Sequence, residues 1–342
     1  MEFKRFAIIA LVCGFAAAAS TGCKDKDDDT EYFYLNGELR FEYQPYVEQN
    51  ARVVFVPKGV THPDGEDIGY VWKVSSLMSS YDTTKFVGEK GDGSFQFDFT
   101  DSLGSFTVSC YAYADGYVSS SASRSVTVVD PSLNGSLTNT GVGGAGESRE
   151  VDPRDGKTIY YRTHNGVDWM SSNLAYMNSG IPYANCGCMS DIFGRLYSWE
   201  EAQNVCPTGW TLPSDSDFQA FGAQYGCSYD SVSGKILGFA GKLMVNRYFN
   251  TLKMWEFWPE VKITNETGFA AIPVGYANLG NNGFNGTTEY ACFWTSDTTQ
   301  SEGETFGVYR YIVNSEVGNP DVLKGKADKK AFGASVRCIR KK

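Results

Sequence analysis

Histidine is almost missing from this chain: 342 residues contain only His62 and His164. Imidazole chemistry therefore has two groups, 102 residues apart, to draw on. Neither a Gly-x-Ser-x-Gly elbow nor a His-Glu-x-x-His pair occurs, which removes the two commonest hydrolase signatures. Positive charge is also short, with 30 Lys and Arg against 40 Asp and Glu and a net charge of −10. Without basic clusters the chain is a poor match for nucleic acid, whose phosphates need Lys and Arg. Past the first 22 residues no apolar run approaches the roughly 20 residues that span a bilayer. Aromatics and glycine are plentiful: 21 Tyr, 22 Phe, 7 Trp and 37 Gly. That mixture suits short strands, turns and surface recognition better than a helical enzyme. The length is too great for one average domain and comfortable for two.

The N-terminus reads as an address. Lys4 and Arg5 precede an apolar run over residues 6–19, too short to span a membrane and of signal-peptide length. It ends in Ser20-Thr21-Gly22-Cys23, which resembles the lipobox of bacterial lipoproteins. The resemblance implies removal of residues 1–22, acylation (palmitate or a similar chain) on Cys23 and a membrane anchor. At about 0.8 kcal/mol per buried methylene, two or more chains hold stably where one would not. The tether that follows, residues 23–30 with Lys24-Asp25-Lys26-Asp27-Asp28-Asp29, resembles the acidic surface-export signal of Bacteroidetes lipoproteins. That implies the outer membrane, with the protein exposed on the cell surface.

Residues 31–130 show the period of two that marks half-buried strands. Phe95, Phe97 and Phe99 alternate with Gln96 and Asp98, and Phe106, Val108, Cys110 and Ala112 alternate with Thr107, Ser109 and Tyr111. Residues 52–56 and 125–129 are further β-branched runs bounded by turn formers. Such recurring strands predict an all-β sandwich. Tyr70-Val71-Trp72-Lys73-Val74 and the stretch from Gly104 to Gly116 resemble PKD-type or other immunoglobulin-like domains of bacterial surface proteins. The glycine- and serine-containing residues 131–150 read as a linker.

The rest, residues 151–342, carries an ordered set of motifs. They include Val167-Asp168-Trp169-Met170, Gly194-Arg195-Leu196-Tyr197-Ser198-Trp199, Cys206-Pro207-Thr208-Gly209-Trp210, Phe293-Trp294-Thr295-Ser296 and Gly333-Ala334-Ser335-Val336-Arg337-Cys338. This set resembles the Fibrobacter succinogenes major paralogous domain family. The resemblance implies an α+β fold akin to C-type lectins, two short helices on a twisted antiparallel sheet, and a secreted or surface location. It implies no reaction. Local chemistry points the same way. Asn165-Gly166 is a hairpin signal, Ser198-x-x-Glu201 is a capping box starting a helix through Val205, and Ser214-x-x-Asp217 starts a second through about Tyr225.

Six cysteines fall in this domain, at 186, 188, 206, 227, 292 and 338. In an oxidising compartment an even set reads as disulfides. The family resemblance implies Cys206–Cys338. Joining Cys186 to Cys188 would close a strained ring, which leaves 186–227 with 188–292, or 186–292 with 188–227. Cys110 is expected to be a buried free thiol. A zinc site at Cys186-Gly187-Cys188 lacks the usual spacing and a nearby histidine, so neither metal nor cofactor is expected.

Glu200, Glu201, Asp215 and Asp217 are read as first-turn acids that offset helix amides, and His164 as a solvated turn residue. No catalytic set emerges, and the expectation is a binding protein rather than an enzyme. The calcium triplets of sugar-binding C-type lectins are absent beside Trp294. The candidate contact surface is an unmatched aromatic segment with Tyr248, Phe249, Trp255, Phe257 and Trp258. The leading function is capture of a glycan or peptide beside an outer-membrane transporter in nutrient uptake. The alternative is a structural or adhesive surface protein of a fimbria or matrix.

Overall fold

Alternating burial organises the first third of the chain. A computed structural model describes residues 33–76, 82–87, 92–100, 103–130, 146–246, 248–250, 252–255, 261–314 and 319–342. The expected signal peptide, Cys23, the expected acidic tether and residues 131–145 of the expected linker lie outside the described residues. Ten strands precede that gap: β1 (Phe33–Tyr34), β2 (Asn36–Phe41), β3 (Tyr46–Glu48), β4 (Arg52–Phe55), β5 (Pro57–Thr61), β6 (Gly69–Ser75), β7 (Asp82–Val87), β8 (Phe95–Asp98), β9 (Gly104–Ala114) and β10 (Tyr117–Val129). The largest sheet runs β1-β10-β9-β6-β7, with β3 also on β10, while β2 pairs β5 and β4 pairs β8. Phe95, Phe97, Phe99, Phe106, Val108, Cys110 and Ala112 are all buried, as the period of two predicts. Trp72 sits at the centre, stacked on Phe95 at 5.6 Å and edge-on to Phe41 at 5.1 Å. Its Nε1–H donates to the Gly93 carbonyl at 2.9 Å, so the one polar atom of the ring is not stranded.

Among the described residues every strand pairing stays within 33–129 or within 148–341. The second set opens with β11 (Ser148–Val151), β12 (Thr158–His164) and β13 (Val167–Met170), and the C-terminal strand Ile339–Lys341 closes this sheet beside β13. Residues 148–150 thus belong to a strand and not to the linker. Asn165 and Gly166, at φ 46° and 80°, make the tight β12–β13 turn that their types favour. A second sheet joins Tyr290–Ser301, Glu304–Val313 and Leu323–Ala327. Both capping boxes form: Ser198 and Glu201 cap the helix Trp199–Ala202, and Ser214 and Asp217 cap Asp215–Gln224. The first helix ends three residues earlier than the expected Val205. Strands outnumber helices among the described residues.

The two sets of strands touch. Tyr46 packs edge-on against Tyr183 at 5.7 Å, Val129 shares a hydrophobic cluster with Cys186 and Met189, and Asn250 Nδ2 donates to the Val128 carbonyl at 2.7 Å.

Cys206 and Cys338 are bonded, 132 residues apart with Cα atoms 5.9 Å from each other. The pairings expected of Cys186, Cys188, Cys227 and Cys292 are not formed, and all four are free thiols. The reason is their placement in separate parts of the core. Cys186 and Cys188 pack with Met189 and Phe193, Cys227 packs beside the cluster of Phe221 and Phe239, and Cys292 lies with Trp294. Burial raises every one of these thiols, Cys188 to about 11, and the isolated Cys110 to about 12. Protonated thiols attack disulfides poorly. Non-reducing peptide mapping should therefore give one crosslinked pair among the described cysteines, Cys206 with Cys338, with Cys110, Cys186, Cys188, Cys227 and Cys292 alkylated after denaturation. Reducing that bond should cost on the order of 2–5 kcal/mol, because so long a loop is then freed in the unfolded chain. A crosslink from Cys292 to Cys186 or Cys188 would contradict this arrangement.

Candidate functional site

A tight turn before β12 forms one wall of a concavity. Asp152 N–H donates to the Lys157 carbonyl at 2.8 Å, and Gly156, at φ 78°, donates back to the Asp152 carbonyl at 2.8 Å. The buried Asp152 carboxylate accepts from Arg154 Nε at 2.9 Å and Nη2 at 2.7 Å. Burial alone would raise its pKa, but the Arg154 bonds outweigh it and hold the carboxyl below its usual range. Arg154 in turn lies 4.0 Å over the Tyr176 ring. Asp155 accepts backbone N–H groups from Lys157 at 3.1 Å and Met177 at 3.3 Å, so the turn and the loop after β13 are pinned together.

These segments, the helix Met189–Phe193 and residues Ala270, Ile272 and Arg337 enclose a cavity of about 370 Å³. Ile159, Met170, Leu174, Ile192 and Ile272 give it an apolar side. Lys157 pairs with Asp191 in the wall, and wholly buried Arg337 supplies a second cation. Thr158, Tyr160 and Ser172 contribute hydroxyls that have no protein hydrogen-bond partner among the described residues. A wall of mixed apolar surface, paired charges and unengaged hydroxyls suits a small polar ligand that keeps one apolar face. Sequence reasoning missed this site because its lining comes from segments as far apart as Asp152 and Arg337. The only local signal was the Asp-Pro-Arg-Asp-Gly turn.

The aromatic segment does not assemble as expected. Trp255 is fully buried, its Nε1–H donating to the Ala271 carbonyl at 3.0 Å, so it belongs to the core and cannot contact a ligand. Phe249 is half-buried against Phe193 at 5.2 Å. Tyr248 is 56% exposed, while Phe257 and Trp258 lie outside the described residues. No shared binding surface is formed by the described three.

The paired acids are engaged in structure. Glu201 accepts from Ser198 N–H at 2.8 Å and Gly180 N–H at 3.0 Å. Asp215 binds buried Arg310 at 2.6 Å and Lys324 at 3.0 Å. Burial works to raise the Asp215 pKa, and the two cations win and lower it. His164 is not the solvated residue expected: it is half-buried, 2.9 Å from the Tyr225 hydroxyl and 4.9 Å from the Phe221 ring. Burial lowers its pKa.

Comparison with known proteins gives one positive result. No curated protein matches the chain. The Fibrobacter succinogenes major domain matches residues 163–340, just over half of the sequence and most of the cavity-bearing part. The chain belongs to the Fibrobacter succinogenes major domain family.

Proposed function

We propose that this protein is a non-catalytic binding module, lipid-anchored through Cys23 on the outer face of the outer membrane, that captures a glycan or peptide end. In this reading an immunoglobulin-like sandwich carries a C-type-lectin-like domain away from the membrane, next to an outer-membrane transporter that takes up the captured nutrient. The observation that supports it best is the cavity beneath the Asp152–Lys157 turn. At about 370 Å³ it stands at the small end of ligand pockets, large enough for one or two sugar or amino-acid units. Its unengaged hydroxyls offer hydrogen bonds without leaving an unpaired charge to be desolvated.

The test is titration of the full chain with panels of oligosaccharides and short peptides. Tyr160→Phe combined with Ser172→Ala is expected to weaken the best ligand by about tenfold, each lost hydrogen bond being worth roughly 0.5–1.5 kcal/mol. Cys23→Ala should release the protein from membranes without changing that affinity. Unchanged affinity in the double variant would remove the cavity from the proposal. Absence of any ligand, with tight co-purification of another surface protein, would replace capture by a docking role.

A further inference from the structure

A second surface of the same domain carries a closed circuit of aromatic rings. Tyr276 stacks on Phe332 at 5.2 Å, Phe332 on Tyr309 at 5.0 Å, and Tyr309 meets Tyr311 at 5.6 Å. Tyr311 reaches Tyr290 at 6.4 Å, and Tyr290 returns to Tyr276 at 5.9 Å. All five rings are half-buried, and buried Trp294 supports Tyr309 and Phe332 edge-on from beneath. Among the described residues none of the four phenol oxygens has a hydrogen-bond partner. Four half-buried tyrosines in one patch with no phenol hydrogen-bonded to protein among the described residues is unlike a core, where buried phenols find acceptors.

Two glycines set the posture of these rings. A Cβ on Gly325 would lie 2.3 Å from Tyr309 Cζ, and one on Gly286 would lie 2.6 Å from Tyr290 Cδ2. Each ring therefore packs directly against bare backbone, which a side chain at either glycine would displace. The strand alternation keeps two lysines off this face. Gly325 pairs across the sheet with Tyr309 and Leu323 with Tyr311, whereas Lys324 and Lys326 alternate to the opposite side. There Lys324 binds Asp215 and Lys326 lies over Phe306.

We infer that this surface binds uncharged oligosaccharides, a conclusion that rests on the binding-module reading but uses a different site. A pyranose offers an apolar face of C–H groups to a flat ring and equatorial hydroxyls to its rim. The patch supplies rings for the first and phenols for the second. An anionic glycan would find neither of these lysines on this face to pair with its carboxylates, which would be desolvated at a cost.

The experiment uses the full chain and isothermal titration with neutral hexasaccharides of β-1,4-glucan, β-1,4-xylan, α-1,4-glucan and α-mannan, with polygalacturonate as the anionic comparison. At least one neutral hexasaccharide should bind. Tyr311→Ala and Tyr290→Ala should each weaken it about tenfold or more, as truncated anchor rings do. Tyr311→Phe, which keeps the ring and the fold, should weaken it severalfold, and Tyr248→Ala should leave it unchanged. Melting curves identify any variant that unfolds, and Tyr311→Phe then decides. Failure of all neutral probes, preference for polygalacturonate, or undiminished affinity in folded Tyr311 and Tyr290 variants would overturn the inference. Loss in the Tyr160/Ser172 variant alone would leave the cavity as the site and dismiss this surface. Loss in neither would dismiss both.

Discussion

Truncating Trp255 to alanine is expected to cost about 3–5 kcal/mol of stability, the range for large aromatic deletions from a packed core. The side chain is fully buried in the cluster that holds Phe218, Phe221, Phe239 and Phe269. Its removal opens a cavity and also leaves the Ala271 carbonyl without its 3.0 Å donor. Trp255→Phe keeps most of the volume and should cost markedly less. Tyr248→Ala, at an exposed position seven residues earlier in the sequence, should change stability by no more than about 0.5 kcal/mol. Equilibrium denaturation of the three variants checks the ranking. A Trp255→Ala protein as stable as the parent would mean that the ring is a surface contact after all.

That residue also shows where local reading of a sequence stops. The alternation of Phe95, Phe97 and Phe99 reports a buried face directly, because period two ties neighbouring residues to opposite sides of a strand. Ser198 with Glu201, and Asn165 with Gly166, are equally local: capping and tight turns are settled within four residues. All three came out as read. The segment around Trp255 has neither period. Its place in the core depends on the Ala271 carbonyl and on phenylalanines from the helix Asp215–Gln224, partners that no short window contains. The cysteines divide along the same line. Cys206–Cys338 could be inferred from the family resemblance, but the other four were counted as a set although the fold distributes them among separate clusters. The cavity, the five-ring surface and the Tyr46–Tyr183 contact between the two sets of strands are likewise products of long-range packing.

Arg337→Met should be at least as damaging as loss of Trp255, and for an electrostatic reason. The guanidinium is wholly buried and has no carboxylate in ion-pair contact among the described residues. Four neutral oxygens hold it instead: Nε donates to Asn173 Oδ1 at 2.6 Å, Nη1 to the carbonyls of Met170 at 3.1 Å and Phe269 at 2.6 Å, and Nη2 to that of Ala270 at 3.1 Å. The faces of Phe269 and Phe293 lie 4.6 and 5.6 Å from it, and such rings attract a desolvated cation. Burial pulls its pKa down to about 9, with Glu147 opposing, so it remains charged at neutral pH. One side chain thus joins the loop after β13, the Phe269–Ala270 segment and the C-terminal strand region. It also braces Ala270, which sits at φ 52°, a conformation that costs a non-glycine residue roughly 1 kcal/mol or more. Methionine fills similar space but donates nothing, stranding four buried acceptors at about 1–3 kcal/mol each before relaxation. Allowing for water entering from the adjoining cavity, a net loss of about 3–5 kcal/mol is expected. Lysine keeps the charge but has three donors on one atom and cannot span acceptors arranged for a planar fork, so Arg337→Lys should recover only part of the loss. Ala270→Gly in the Arg337→Lys background should restore some stability by relieving the backbone, whereas the same change in an Arg337→Met protein relieves strain but leaves the orphaned carbonyls. Denaturation midpoints of these variants, read with hydrogen exchange at residues 170–174 and 269–272, test the account. A folded Arg337→Met protein with parental stability and unchanged exchange would show that the guanidinium does not hold these segments.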